Sequence, residues 1–285
     1  MKLGAHVSAA GGISRAIDRA QEMGAETMQI FVSPPQGWAF KPVAEADAVA
    51  FRQKAKTAGI APTFFHSIYL VNLGSPSPDN LAKSIQALVN YMGVAHQIGA
   101  AGVIFHSGSH KGVGFEAILP QVATAMQQVL KSSPSNVWLI IENCAGMGNQ
   151  IGASFAEIGR IMKAVGSPRV KVCLDTEHTF AAGYNLADKE GIKSAMEEFD
   201  REIGLSNLVA VHANDAKVPF ASGVDRHDNI GDGYIGLKGF EIIMGHSAFV
   251  DVPFLLEVPG PDGKGPDKEN LDRLKAIRAR LGIYP

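Results

Sequence analysis

Residues 170–184 read VKVCLDTEHTFAAGY, and this stretch decides the fold. The apolar run Val170 to Asp175 is rich in β-formers and closes on a carboxylate, and His178 follows three residues later in a turn. A carboxylate and an imidazole released together at a strand end suit a hard-to-borderline divalent ion such as zinc. An Asp in that place is also a common helix cap. A single strand end does not separate the two readings, so the neighbouring segments must.

The same event recurs along the whole chain. Strands are expected at Leu3–Val7, Thr27–Val32, Pro62–His66, Gly102–His106, Val137–Glu142, Val170–Asp175, Leu208–Asn214 and Pro253–Val258. Between them lie segments of helical period: Leu81, Ile85, Leu88 and Met92; Phe155, Ile158, Met162 and Val165; Ile192, Met196, Phe199 and Ile203; Leu271, Leu274, Ile277 and Leu281. Spacings of three and four put each set on one helix face. Eight strand–helix units in a row imply α/β architecture, a single (β/α)8 TIM barrel, with a doubly wound sheet as the alternative. No linker, low-complexity tract or charge run divides residues 1–285, which read as one domain.

Seven of the eight strands close near a metal-capable side chain: His6, His66, His106, Glu142, Asp175, His212 and Glu257. In a parallel barrel the C-terminal strand ends converge on one face, where active sites sit. The connection after the seventh strand, NDAKVPFASGVDRHDNIGDGYIG, shows neither strand nor helix period. A loop that long in a barrel is usually functional. Its Asp225 and His227, one residue apart, fall on the same side of an extended segment, and its glycines at 223, 231, 233 and 236 point to turns that fix its shape.

Composition agrees with an ordinary globular chain: 285 residues, 46% hydrophobic, 19% charged, net charge −2. No apolar run reaches the roughly 18 residues of a membrane span, and the N-terminus enters a strand without a leader, so a cytoplasmic protein is expected. Cys144 and Cys173 sit beside strand ends and are expected to be buried, reduced thiols. The net charge gives no global basic field. A nucleic-acid partner would need a local patch or bound cations.

The best donors are His66, His106, Glu142, Asp175, His178, His212, Asp225, His227 and Glu257, five imidazoles and four carboxylates. That is too many for one tetrahedral ion and suits two or three ions with a bridging carboxylate. Imidazole-rich ligation favours zinc over magnesium. Three such ions against four carboxylates leave a mouth of about +2, which attracts phosphate. Closely spaced ions are a recurrent device of phosphatases and nucleases. Residue chemistry alone therefore reaches a multinuclear metallohydrolase or metalloisomerase.

The motifs go further. GAHVSAAGG near the start, HSIYLVNLG at 66–74, FHSGSH at 105–110, IENCAGMG at 141–148, LDTEHTFAAGY at 174–184, VHANDAK at 211–217, VDRHDNIGDGYIG at 224–236 and LLEVPG at 255–260 occur in order. Together they resemble the endonuclease IV family over essentially the whole chain. The resemblance implies an apurinic/apyrimidinic endonuclease of base-excision repair, an α/β barrel with three Zn²⁺ ions, acting as a monomer on abasic sites in duplex DNA. It implies one ion on His66, His106 and Glu142, a second on Glu142, Asp175, His212 and Glu257, and a third on His178, Asp225 and His227. Glu142, as bridge, would be the catalytic carboxylate. The implied reaction cleaves 5′ to the lesion, leaving 3′-hydroxyl and 5′-deoxyribose phosphate ends.

Tyr69 matches a family position that presses into DNA beside the lesion; the alternative is a rim aromatic packed on the barrel. Where the family commonly carries Arg two residues before a Trp, this chain has Gln36 before Trp38. Gln36 can hydrogen-bond to DNA but brings no cation. Lys217 and Arg226, with Lys111 and Lys264, are the basic residues available to a DNA backbone. His6 either orients a ligand or phosphate at the mouth or simply packs. His110 reads as loop structure, and His96 and His246 as structural. Two other classes stay open: a sugar isomerase on the same type of barrel, and a DNA-binding protein whose zinc is structural.

Overall fold

The strands are short, nearly continuous apolar runs buried on both faces, as barrel strands need with one face inward and the other against the helices. A computed structural model describing residues 1–284 closes these strands into one parallel barrel. The strands are β1 (Leu3–His6), β2 (Thr27–Phe31), β3 (Thr63–His66), β4 (Gly102–His106), β5 (Trp138–Glu142), β6 (Val170–Asp175) and β7 (Leu208–His212). A two-stranded antiparallel ribbon follows, β8 (Asp215–Ala216) with β9 (His227–Asp228). The last barrel strand is β10 (Phe254–Leu256), which pairs with β7 on one side and β1 on the other. The closed, parallel order excludes the doubly wound alternative.

The helices are α1 (Ile13–Met23), α2 (Glu45–Ala58), α3 (Pro78–Ile98), α4 (Phe115–Lys131), α5 (Phe155–Val165), α6 (Thr176–Ala181), α7 (Lys189–Glu202), α8 (Gly236–Gly245) and α9 (Lys268–Arg280). Helix α3 illustrates how they are specified. Ser77 accepts from the Asn80 N–H and Pro78 occupies the first turn, where its missing N–H costs nothing. Leu88, Tyr91, Met92 and Ala95 are buried against the barrel. Gly99, in the left-handed conformation at φ 76°, stops the helix three residues before β4 begins at Gly102. Among the described residues no helix is long and apolar enough to cross a membrane.

Two sequence expectations need correction. His178 lies on a short helix, α6, rather than in a turn; the Asp175 carboxylate caps it by accepting the His178 N–H at 2.9 Å. Six residues are too few to display a helical period. The long connection after β7 is also not wholly irregular, since it contains the β8–β9 ribbon. Two-residue strands are likewise too short to show alternation. Most strand ends otherwise fall within a residue or two of expectation, and Glu257 lies just past β10.

Inside the barrel, Phe64, Ile104, Ile140, Cys173, Ala210 and Leu255 form a separate apolar layer. Burying each large member of it contributes about 1.5–3 kcal/mol. At the N-terminal end, Arg278 of α9 forks onto Glu26 with bonds of 2.6 and 2.7 Å and also reaches the Met1 carbonyl. This ties the last helix to the first strand.

Candidate metal centre

The inner apolar layer sets the position of the polar one. Two residues on along each strand the side chain again points inward, so Phe64 leads to His66, Ile104 to His106, Ile140 to Glu142, Cys173 to Asp175, Ala210 to His212 and Leu255 to Glu257. The barrel thus carries a ring of imidazoles and carboxylates directly above its dry core, at the C-terminal face. Strand β2 is the one without a metal-capable residue at this level, and it supplies the buried amide of Gln29.

Glu142 stands at the centre, fully buried. Its Oε2 lies 2.9 Å from His66 Nε2 and 3.4 Å from His106 Nε2. Its Oε1 lies 2.9 Å from His212 Nδ1. His212 Nδ1 is also 3.3 Å from Glu257 Oε2 and 4.0 Å from Asp175 Oδ2. On the other side, His178 Nε2 is 3.3 Å from Asp225 Oδ2, and His227 Nε2 is 3.6 Å from both Asp175 Oδ2 and Asp225 Oδ1.

Three groups of donor atoms, each mutually within 4.8 Å, result: His66, His106 and Glu142; Glu142, Asp175, His212 and Glu257; Asp175, Glu177, His178 and His227. The first two coincide in membership with two of the sets implied by the family resemblance. The third differs. It includes Asp175 and Glu177, while Asp225 stands beside its two imidazoles.

The hydrogen bonds on the outer side of each ring test whether cations fit here. His66 Nδ1 faces the Ser67 carbonyl at 2.7 Å, His178 Nδ1 the Asn143 carbonyl at 2.9 Å, and His227 Nδ1 the Glu257 carbonyl at 3.5 Å. His212 Nε2 faces Gln29 Oε1 at 2.9 Å, and His106 Nδ1 faces Cys144 Sγ at 3.5 Å. Each imidazole thus has an acceptor behind it that selects the tautomer with its other nitrogen turned toward the carboxylates, the pattern of metal-ligating histidines. Two inward atoms, His227 Nε2 and Glu177 Oε2, are buried without any hydrogen-bond partner. Leaving such atoms unsatisfied costs about 1–3 kcal/mol each. The residues present fit bound cations.

The carboxylates and imidazoles also shift one another's ionisation. Burial alone would raise the Glu142 carboxyl, but His106, His212 and His66 hold it well below the usual range. Glu257 is likewise depressed against burial, chiefly by His212 and His6. Burial would lower His178 and His212, yet neighbouring groups, among them Asp175 for the first and Glu142 for the second, raise both well above the ordinary imidazole value. Glu177 goes the other way, pushed up to about 7 by burial and by the adjacent Asp175 charge.

Several supporting residues escaped the sequence reading. Asn214 donates to Asp175 Oδ2 at 2.7 Å and accepts the Glu257 N–H at 2.9 Å. Asn143 accepts the Asp175 N–H at 2.8 Å. Gln29 donates to Glu257 and lies 2.9 Å from His6 Nδ1. Asn143 and Asn214 follow the ends of β5 and β7, a signal the sequence offered, whereas Gln29 lies in the middle of β2. Asp215 holds the long loop, accepting from the N–H groups of Ala216, Gly231, Ile235 and Gly236. His6 contacts Gln29 and Glu257, next to the donor groups rather than in one.

The donor groups open into a cavity of about 380 Å³ whose lining includes His6, Phe31, Tyr69 and Pro266. Tyr69 is 64% exposed, and its N–H donates to the Pro35 carbonyl at 3.1 Å, which joins the loop after β3 to that after β2. Gln36 is exposed in that second loop. Lys217 and Arg226 are exposed and paired through their backbone across the ribbon, at 2.9 Å. His110 accepts the Gly112 and Gly114 N–H groups, a loop role, and His246 caps a short 3₁₀ turn. Both cysteines are free and buried.

Residues 17–279 match the family model described as Xylose isomerase-like TIM barrel. A protein of Trichlorobacter lovleyi named "Probable endonuclease 4" is 39% identical over 277 residues, covering 96% of this chain and 99% of its own. A protein of the same name from Methanosphaerula palustris is 39% identical, covering 99% of each. The crystal structure of endonuclease IV from Thermus thermophilus superposes with a TM-score of 0.86 at 30% identity over 100% of both chains. A D-psicose 3-epimerase structure superposes with a TM-score of 0.72 at 15% identity, covering 99% of this chain and 100% of its own, which shows a shared fold alone.

Proposed function

This chain belongs to the endonuclease IV family, and from that premise we propose that it is a zinc-dependent endonuclease that cleaves duplex DNA on the 5′ side of abasic sites. The observation that carries the reading is the placement of Glu142 between two groups of donors at the mouth of the barrel. One ion is assigned to His66, His106 and Glu142, a second to Glu142, Asp175, His212 and Glu257, and a third to His178, Asp225 and His227. When bound, such ions supply charge stabilisation for the attacking and leaving oxygens and lower the pKa of coordinated water toward neutrality.

The chain's own residues perform the rest. Glu142 holds two donor groups in register through its two oxygens, the buried amides of Gln29 and Asn214 keep the Glu257 and Asp175 carboxylates from rotating, and Asn143 fixes the Asp175 main chain by accepting its N–H. His6 is assigned to orienting Glu257, its contact at 3.2 Å. Tyr69 stacks beside the gap left by the missing base, Gln36 hydrogen-bonds to the strand, and Lys217 and Arg226 pair with backbone phosphates. Water adds its oxygen to phosphorus, the P–O3′ bond breaks, and the 3′-oxygen leaves with a proton. The products are a 3′-hydroxyl and a 5′-deoxyribose phosphate. The same bond cleavage applied to a blocked 3′ end gives a 3′-repair phosphodiesterase. We assign the protein to the cytoplasm, as a monomer.

The test is incision of a duplex with one abasic site, with and without chelator, alongside elemental analysis. Incision 5′ to the lesion, lost on chelation and regained with zinc, and about three zinc ions per chain, are expected. A reproducible single equivalent that zinc does not increase would overturn the cluster. Turnover of a ketose without incision would favour a sugar isomerase.

A further inference from the structure

Glu177 has no part in the three-ion assignment, yet its side chain is fully buried beside the third group of donors. Its two oxygens have different surroundings. Oε1 accepts the Arg226 N–H at 3.1 Å, which fixes the carboxylate to the loop that carries Asp225 and His227. Oε2 has no hydrogen-bond partner, is shielded from solvent, and lies 4.0 Å from His178 Nε2. The second partnerless atom at this place, His227 Nε2, belongs to the same group. A buried carboxylate oxygen and a buried imidazole nitrogen, both bare, on two residues whose donor atoms lie within 4.8 Å of one another, are what a shared cation would satisfy.

We propose that Glu177 is a further donor to the ion held by His178, Asp225 and His227, giving that ion four protein ligands. The proposal rests on the three-ion reading above and adds to it. Three protein donors leave an open position for water or substrate, whereas four close a tetrahedral site. The third ion is thereby held more tightly than a three-donor site would hold it, and its role shifts toward fixed charge. One more carboxylate also brings the net charge of the mouth from about +2 to about +1. The Arg226 N–H bond keeps Oε2 aimed at the group without any rearrangement of α6.

The test is metal content under graded chelator for the wild type and Glu177→Gln, with circular dichroism and gel filtration to confirm folding. The amide keeps an oxygen for the Arg226 N–H and removes only the donor. The wild type should retain about three zinc ions at chelator concentrations where Glu177→Gln retains about two, a loss of at least about ten-fold in affinity for one ion. Glu177→Ala should lose the same equivalent and regain it when acetate fills the vacated space. Three ions in both proteins with superimposable chelator titrations would overturn the proposal and leave the three-ion reading intact. A wild type with one equivalent or none would overturn both. Failure of both variants to fold at every zinc concentration would assign the carboxylate to folding and overturn the proposal as well.

Discussion

Replacing Tyr69 by Ala separates a DNA-opening role from a structural one. The Tyr69 ring meets Phe31 edge-on with centroids 5.6 Å apart and sits 6.4 Å from the His66 ring. Since 64% of the residue is exposed, truncation removes little buried surface. The cost to the fold should be about 1 kcal/mol or less. The Pro35 contact uses the Tyr69 main chain, so the loop is retained. Stacking of an aromatic ring on a base is worth roughly 1–3 kcal/mol. At about 1.4 kcal/mol per factor of ten, Tyr69→Ala should slow single-turnover incision of an abasic duplex roughly 5- to 150-fold. Hydrolysis of bis(4-nitrophenyl) phosphate, which has no helix to open, should change less than about two-fold by the same reasoning. Extrusion of a nucleotide costs least where the base is already missing, so the loss should be larger still where the target nucleotide keeps its base. Equal loss on the duplex and the small diester, with the melting temperature unchanged, would refute the reasoning and make Tyr69 a support for His66.

Glu142→Gln removes the charge that faces His66 and His212 and should lower incision by at least about a hundred-fold; near-wild-type turnover would show that Glu142 does not join the two donor groups. Stripping ions with a chelator should lower the thermal midpoint, since a cation at a hundred times its Kd that binds only the folded state contributes about 2.7 kcal/mol; an identical melt would count against bound ions. Arg278→Met should cost about 1.5–3 kcal/mol near neutral pH by breaking the fork onto Glu26. Burial would raise the Glu26 carboxyl, but the Arg278 bonds and the Leu3 N–H hold it below its ordinary value. Its contribution is therefore complete above the unfolded carboxylate pKa of about 4.3 and lost as pH falls through the lower folded value. The gap between wild type and Arg278→Met in urea unfolding should shrink toward about pH 3, and a gap that widens there would contradict the pairing. Gly108→Ala should destabilise by about 2 kcal/mol or more, because φ is +96° and a Cβ would lie 2.1 Å from Asn72 Oδ1; a urea midpoint equal to wild type would show that the loop yields.

The eight-fold succession of strand and helix was legible because an apolar, β-rich run and a helical period are both local signals. The strand-end donors were legible for the same reason: each lies two residues beyond an inward apolar residue, as Ile140 lies before Glu142. What the chain order alone could not decide is which donors meet. Glu142 touches His66 and His212, 76 and 70 residues away, only because closure of β10 on β1 and the registers of β3 to β7 bring those levels together. Gln29 was passed over because an amide draws no notice until the ring around it shows that every other strand delivers an imidazole or a carboxylate. Asp215 and Glu177 were hidden differently. Each acts through backbone N–H groups and neighbours brought in by the long loop, and no side-chain periodicity records a main-chain partner. Composition and alternation thus determine the barrel and the donors it carries. The grouping of those donors, the tautomer of each imidazole and the bare oxygen of Glu177 depend on through-space distances of a few ångströms, which exist only once the sheet has closed.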